Sequence, residues 1–546
     1  MISILTIIGI ALFYHFRLDL TSDKRYSISN QTKNLMEKLD EPLKVTVYLD
    51  GDLNPGFQRL KISSGELLDE LSVYTEKGVE INYQNPSIAG SQEQREKKQA
   101  ELEAAGFTPT AVYEHDKEGK AIQKIIFPWI ELSYKAKKVP VCLLKNIRGN
   151  SGEENLNISI ENLEFEITDA IRRLVNTEVS KIAFMEGHGE LTEPETYDIS
   201  KSLSRYFQID RGVLGTNAAV LDNYKVIIVA KPTKPFSESD KFIIDQYIMY
   251  GGKVLWLIDP VFASMDSLKG RAQTVGITNE INLADQLFRY GVRLNTNLIM
   301  DISALPIPIV TGKVGNQPQT SFLPWYYFPI ITPTANHPIV KNVNAIKTEF
   351  VSSIDTIDNG IKKTILLTSS KYSRLINTPV IIDLAILKKE PEERLFNKPF
   401  QSVAVLLEGE FESNFSNRVT SEIAQSDEIG FISKSKLTSM IVVSDGDMIK
   451  SQFHYSKGYP MPLGYDQYTG QMFGNKEFIL NCMNYLCDDS GLITVRSREL
   501  KLRMLDKTKI ENSKIKWQLI NIVFPILIVI IFGFLMAFLR KRRYTK

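Results

Sequence analysis

Apolar and polar positions along the chain divide it into short elements of two kinds. From Leu43 to Leu49, β-branched and apolar residues alternate with polar ones, the period-two pattern of a half-buried strand. Leu60, Leu67, Leu71 and Tyr74 then recur near one helix face, Gly78 stops that run, and Val79–Tyr83 returns to strand. Residues 91–105 are dense in Gln, Glu and Lys, which predicts an exposed helix ended by Gly106 whose charges face solvent. Strand-like pieces follow at Ala111–Tyr113, Ile122–Tyr134 and Val139–Leu144. Ile160, Leu163, Ile167, Ile171 and Leu174 make Asn157–Val175 an amphipathic helix. The pattern predicts a linker over 17–36 (its polar part Thr21–Gln31), a small α/β domain over 37–156 and a connecting helix over 157–175.

A different pattern begins at about 176. Uninterrupted apolar runs at Lys181–Met185, Lys225–Ala230, Lys253–Ile258, Val403–Glu408 and Ser439–Ser444 are interleaved with helices at Pro194–Tyr206 and Ser237–Tyr250. A helix at Asn475–Leu486 closes the segment. Strands that are apolar throughout indicate a parallel sheet covered on both faces, so residues 176–494 are expected to form a doubly wound α/β domain. Residues 262–430 break the pattern with clustered prolines and read as a long β-rich insertion. Within it, Pro324-Trp325-Tyr326-Tyr327-Phe328-Pro329 suits docking to a partner or lipid as well as packing in its own domain.

The two ends change the picture. Residues 517–539 carry no charge, and 23 helical residues span roughly 35 Å, enough to cross a hydrocarbon core of about 30 Å. Trp517 stands where an interfacial aromatic belongs, and Arg540, Lys541, Arg542 and Arg543 follow the apolar stretch in a basic tail, 540–546. By the positive-inside rule that tail is cytoplasmic, and the basic segment 495–516 is a juxtamembrane stalk on the outer side. Residues 1–16 are uncharged and mostly apolar, with no small-residue cleavage site after them, and are expected to form a second, uncleaved anchor. Two anchors place both termini in the cytoplasm and the bulk of the chain in the periplasm, at the inner membrane.

Charge adds an exclusion. Lys and Arg total 65 against 64 Asp and Glu, so no net field gathers nucleic acid. The three cysteines, Cys142, Cys482 and Cys487, provide neither a disulfide framework nor metal-ligand spacing. Neither a phosphate-binding Gly-x-x-x-x-Gly-Lys-Ser/Thr loop nor a Gly-x-Ser-x-Gly elbow occurs, so no catalytic residue, metal or cofactor is expected. The candidate ligand-binding residues lie where strands end. Glu186, His188 and Glu190 follow one strand, Asp259 a second, and Asp445 and Asp447 a third, and ligands of open α/β sheets sit beyond such ends. The plainer reading is a set of tight loops, with glycines supplying unusual dihedrals and the aspartates making turns. Two further readings are an envelope metal-dependent hydrolase using Glu186, His188, Glu190 and an aspartate, and a scaffold that binds cell-wall polysaccharide.

Several stretches in order resemble one family. They are Arg25-Tyr26-Ser27-Ile28-Ser29, Phe184–Glu190, Leu407-Glu408-Gly409-Glu410-Phe411 leading to Asn417-Arg418, and Val443–Met448. Pro462-Leu463-Gly464-Tyr465-Asp466, Gly474-Asn475-Lys476-Glu477-Phe478 and the region from Arg496 to Asp506 complete the set. Together they resemble GldG, the auxiliary, substrate-binding-like subunit family of the gliding-motility ABC transporter of Bacteroidetes-type bacteria. The resemblance implies a non-catalytic subunit, partnered by a multi-span permease and a cytoplasmic ATPase, with a possible cell-envelope ligand. It also implies a thioredoxin-like small unit without Cys-x-x-Cys. The larger unit is implied to be Rossmann-like, of the glutamine-amidotransferase type but without its thiol.

Overall fold

A computed structural model describes residues 28–86, 91–115, 121–147, 150–175, 179–215, 218–314, 317–388, 390–420, 430–454, 456–488 and 507–544. The expected anchor over 1–16, most of the linker and residues 495–506 of the stalk lie outside the described residues. The described residues from 28 to 488 belong to one compact unit, and the helix from 507 belongs to a second.

The first elements are α1 (Asn30–Met36), β1 (Leu43–Val47), α2 (Pro55–Val73), β2 (Val79–Tyr83) and α3 (Gln92–Ala104). Next come β3 (Thr110–His115), β4 (Ala121–Ile126), β5 (Trp129–Tyr134), β6 (Lys137–Cys142) and α4 (Gly152–Val175). Caps set the helix starts: Asn54 accepts from the Phe57 N–H, and Ser91 with Gln94 closes a capping box on α3. A four-stranded sheet runs β2-β1-β5-β6, with β1 and β2 parallel and the rest antiparallel. Its apolar side (Val45, Val47, Ile130, Leu132) shares one core with Leu60, Leu68 and Leu71 of α2 and Leu163, Ile167 and Ile171 of α4.

Two expectations are corrected in this region. Residues 30–36, read as linker, are helical, and Thr32 and Met36 are fully buried. The strand expected over Ile122–Tyr134 is divided at Phe127-Pro128: β4 pairs with β3 in a hairpin, while β5 joins the four-stranded sheet. Proline has no N–H for a ladder, so the chain changes sheets there.

The next elements are β7 (Lys181–Glu186), α5 (Tyr197–Leu203), β8 (Gln208–Val213), β9 (Val226–Ala230), α6 (Glu238–Met249) and β10 (Lys253–Leu257). The proline-rich stretch adds β11 (Val261–Phe262), β12 (Gln273–Thr278), α7 (Ala284–Tyr290), β13 (Val292–Leu294) and β14 (Asn297–Asp301). It continues through β15 (Ala304–Val314), β16 (Gln317–Ile331), β17 (Ile346–Lys347), β18 (Ile354–Thr356), β19 (Lys362–Thr368), β20 (Ser373–Asn377) and β21 (Val380–Asp383). Then come β22 (Ser402–Gly409), β23 (Thr438–Val443) and α8 (Asn475–Cys487).

Seven strands make the main sheet in the order β19-β22-β23-β10-β9-β7-β8. The five from β23 to β8 are mutually parallel, and β22 and β19 extend the sheet antiparallel. Residues of alternating direction feed two cores. Ile182, Phe184, Ile228, Leu255 and Ile441 pack with Ile199 and Leu203 of α5 and Phe478 and Cys482 of α8. Ala183, Ile227, Trp256 and Val442 pack with Ile244 and Tyr247 of α6 and Leu287 and Tyr290 of α7. Burial on both sides is the reason these strands lack polar alternation.

The remaining strands of the insertion form small antiparallel sheets, among them β11-β12-β21 and β15-β16-β17. The aromatic run resolves toward packing: Trp325, Tyr326, Tyr327 and Phe328 are at most 5% exposed, in a core with Phe350, Ile382 and Phe396.

The second unit contributes α9 (Lys507–Tyr544), whose stretch Gln518–Arg543 is long and apolar enough to cross a membrane, with 18 consecutive residues at a mean hydropathy of 3.1. Every side chain of that stretch is exposed, including Arg540, Lys541, Arg542 and Arg543. Trp517 lies on the same helix, with its side chain outside the described residues. The helix begins ten residues before the expected span, so Lys507–Lys516, read as stalk, is helical.

Candidate functional site

Because β7, β9, β10 and β23 are parallel, their C-terminal ends share one edge of the sheet. Lys231 follows β9, Asp259 lies just beyond β10, and Asp445 and Asp447 just beyond β23. Asp445 caps the 3-10 turn Gly446–Ile449, accepting from the Asp447 N–H at 2.8 Å and from the Glu349 N–H at 2.9 Å. The Gly446 N–H donates to Asp259. Lys231 reaches between the strands: its Nζ is 3.1 Å from Asp259 Oδ2 and also donates to Asp447 Oδ2. Two local features permit this. Lys231 adopts a left-handed φ of 56°, and residue 446 must lack a side chain, since a Cβ there would lie 2.6 Å from the Lys231 Cβ.

The carboxylates of Asp259, Asp445 and Asp447 offer oxygens within 4.8 Å of one another. Burial pushes the Asp259 carboxyl above its ordinary value; its carboxylate neighbour Asp447 adds to the rise and Lys231 opposes it. Burial raises the fully enclosed Asp445 well above that value too, with Asp259 and Asp447 adding to the effect. Burial also raises Glu349, and Asp447 adds to that. For Lys231, burial alone would favour the neutral amine, but Asp259 and Asp447 outweigh it and hold the ammonium charged. An all-oxygen donor set of this kind suits a hard divalent cation, but Lys231 already supplies the positive charge within the group.

The residues after β7 form a neighbouring group. Glu186 turns to Arg211 of β8, 2.7 Å away, and Arg211 also bonds the Thr196 hydroxyl and the Leu191 carbonyl while lying over the Phe184 ring. Gly187 and Gly189 both have positive φ, which lets the chain fold back so that the His188 N–H meets Glu190 Oε2 at 2.7 Å. The His188 ring is stacked on Phe236, centroids 3.6 Å apart, and its two nitrogens each lie 3.2 Å from a carboxylate: Nδ1 from Glu190, Nε2 from Asp240. Burial works against a charged ring, but these two carboxylates prevail and raise its pKa. Its carbonyl accepts from the Thr233 and Lys234 N–H groups at 2.9 and 2.8 Å.

The six expected residues therefore divide. Asp259, Asp445 and Asp447 come together, whereas Glu186 pairs with Arg211 and His188 with Glu190 and Asp240. Sequence reasoning missed Lys231, Glu349, Asp240 and Arg211. Only Lys231 carried a signal, as the charged residue that ends the run Val226-Ile227-Ile228-Val229-Ala230.

Residues 22–133 match a domain of unknown function, DUF7088. A protein of Borreliella burgdorferi described as uncharacterized is 22% identical over 550 residues, covering 97% of this chain and 94% of its own. Among solved structures, the mmIFT52 N-terminal domain aligns with a TM-score of 0.31 at 13% identity, over 57% of this chain and 99% of that one. A ThuA-like protein from Parabacteroides merdae aligns at 0.27 and 8% identity, over 57% and 91%. Likenesses of that size carry no functional inference. Residues 180–482 match the family described as ABC-type uncharacterized transport system, and this match contains the whole seven-stranded sheet. Since it covers more than half of the chain, the protein belongs to that family, the auxiliary components of ABC-type transport systems.

Proposed function

We propose that this auxiliary component is a non-catalytic subunit of an ABC transporter complex associated with gliding motility. In this reading α9 crosses the inner membrane with Arg540–Arg543 in the cytoplasm. Residues 28–488 lie in the periplasm and present a surface for binding or force coupling. The observation that carries it is α9, a fully exposed apolar stretch ending in four basic residues. A helix of this kind is stable only in lipid or against other membrane helices. Its partners are a multi-span permease and a cytoplasmic ATPase, which the chain meets through the membrane. The non-catalytic role is supported by the pairing at the sheet edge, where Lys231 answers the aspartates and His188 is held between two carboxylates. The parallel strand order supports a Rossmann-like larger unit, and a thioredoxin-like smaller unit belongs to the same reading.

Copurification tests the proposal. Full-length protein extracted in mild detergent is expected to bring permease and ATPase with it, and a chain truncated before Lys507 to lose both. Normal assembly of the truncated chain would overturn it. The grouping of Asp259, Asp445 and Asp447 favours a metal-dependent hydrolase as the second reading. Calorimetric titration with Mg²⁺, Ca²⁺ or Zn²⁺ separates the two, since only the second requires saturable binding abolished by Asp445→Asn.

A further inference from the structure

The strand order places β7 at a reversal. The chain leaves β7 for β8 on one side, then crosses to β9 on the other and continues to β10 and β23 in the same direction. In open parallel sheets the crevice beyond the strand ends at such a reversal is where ligands enter. Here it is filled from within. The Leu191 N–H bonds the Ala230 carbonyl at 3.0 Å, the Thr233 and Lys234 N–H groups bond the His188 carbonyl, and the Thr233 hydroxyl bonds the Gly189 carbonyl.

What fastens the plug is His188. Its ring, 8% exposed, is held by Glu190 of its own loop and bridges that loop to the first turn of α6 through Asp240. A neutral imidazole has one N–H, so it satisfies one carboxylate and turns a lone pair toward the other. Only the doubly protonated ring donates to both. The Glu190 side chain is 1% exposed and keeps its bond from the His188 backbone N–H, but loss of the proton removes the positive charge that compensates this buried carboxylate and one of the two ring bonds. We propose that His188 is a proton-operated latch that keeps the crevice between β7 and β9 closed and frees it when the ring deprotonates.

The surrounding charges agree with this assignment. Besides Glu190 and Asp240, Lys234 lies on the adjoining loop and Glu186 and Arg211 form a pair at the ends of β7 and β8. On α6, Lys241 pairs with Glu238 and Asp285. Asp240 is itself fixed by Ser237, whose hydroxyl donates to it at 2.6 Å. The ring's pKa is raised, so the closing contribution is complete below about 6.5 and is lost as pH rises through the higher folded-state value.

The test is amide hydrogen exchange of the full chain in detergent from pH 5.5 to 9, read as protection factors so that intrinsic base catalysis cancels. Peptides covering residues 187–191 and 231–240 are expected to keep constant protection up to about pH 6.5. They then lose up to about tenfold per pH unit and level off, while β10 is unchanged. Asp240→Asn removes one carboxylate and is expected to move the loss to lower pH; His188→Gln is expected to abolish its pH dependence. Protection that is flat with pH in the native chain, or the same profile in Asp240→Asn, would overturn the latch.

Discussion

Lys231 is the counter-ion on which the buried acids at the sheet edge depend. Asp259 and Asp447 both contact its ammonium, and each is at most 9% exposed. Removing the cation while keeping the carboxylates is the costly half of a buried ion pair. Lys231→Met is therefore expected to destabilise the chain by about 3–5 kcal/mol, read from denaturant midpoints. A second replacement, Asp447→Asn, should restore part of that loss. Sequence foretold the aspartates at these positions because they stand where apolar runs stop. Their partner was hidden, since a lysine after a strand is usually solvated, and what buries this one is a left-handed backbone and a glycine 215 positions away at residue 446. Glu349 was less legible still: it reaches the site from the insertion, and no local pattern links it to β23.

At the scale of elements, legibility follows burial. Lys181–Glu186, Val226–Ala230 and Thr438–Val443 lie close to the positions that their apolar runs predicted. β8 was missed because it is an edge strand of Gln-Ile-Asp-Arg-Gly-Val with no buried position, so neither alternation nor an apolar run marks it. Apart from the hairpin of β15 and β16, the small sheets of the insertion were legible only as a class, since their strands are two to six residues long and are placed by pairing across long sequence separations. Helix α6 was predicted to within a residue at either end, and its cap explains why. Ser237 accepts from the Asp240 N–H at 3.1 Å, satisfying one of the donors a helix start leaves open. Ser237→Ala is expected to cost about 1 kcal/mol in thermal or chemical unfolding, and Ser237→Asp to retain most of the stability.

For the whole molecule, opposed titrations set the pH range of stability. Asp259, Asp445 and Glu349 have raised carboxyls, so folding favours their protonated forms. Their contribution is present below about pH 4 and is lost as pH rises through the folded-state values, and His188 adds a loss of the same sign above about 6.5. Asp285 acts the other way. Although burial opposes it, hydrogen bonds from Lys241, Asn414 and Arg418 hold its carboxyl far below the ordinary value, and that stability disappears only as pH falls through the lowered one. The denaturation midpoint of the full chain in detergent is thus expected to be higher at pH 5–6 than at pH 8–9. A midpoint that climbs steadily toward alkaline pH would contradict the assignment.

The hairpin of β15 and β16 has a bearing on how these molecules coexist at high density. Among the described residues β15 pairs only with β16, which leaves its other side without a ladder partner there. Pro306 stands opposite Pro324, and Pro308 opposite Phe322. Two prolines cannot exchange ladder bonds, so these are positions whose backbone groups point away from the partner, toward the open side. The two donors that a neighbouring polypeptide would seek there do not exist. A long, nearly uncharged ribbon is thus a poor template for intermolecular sheet growth at these two positions.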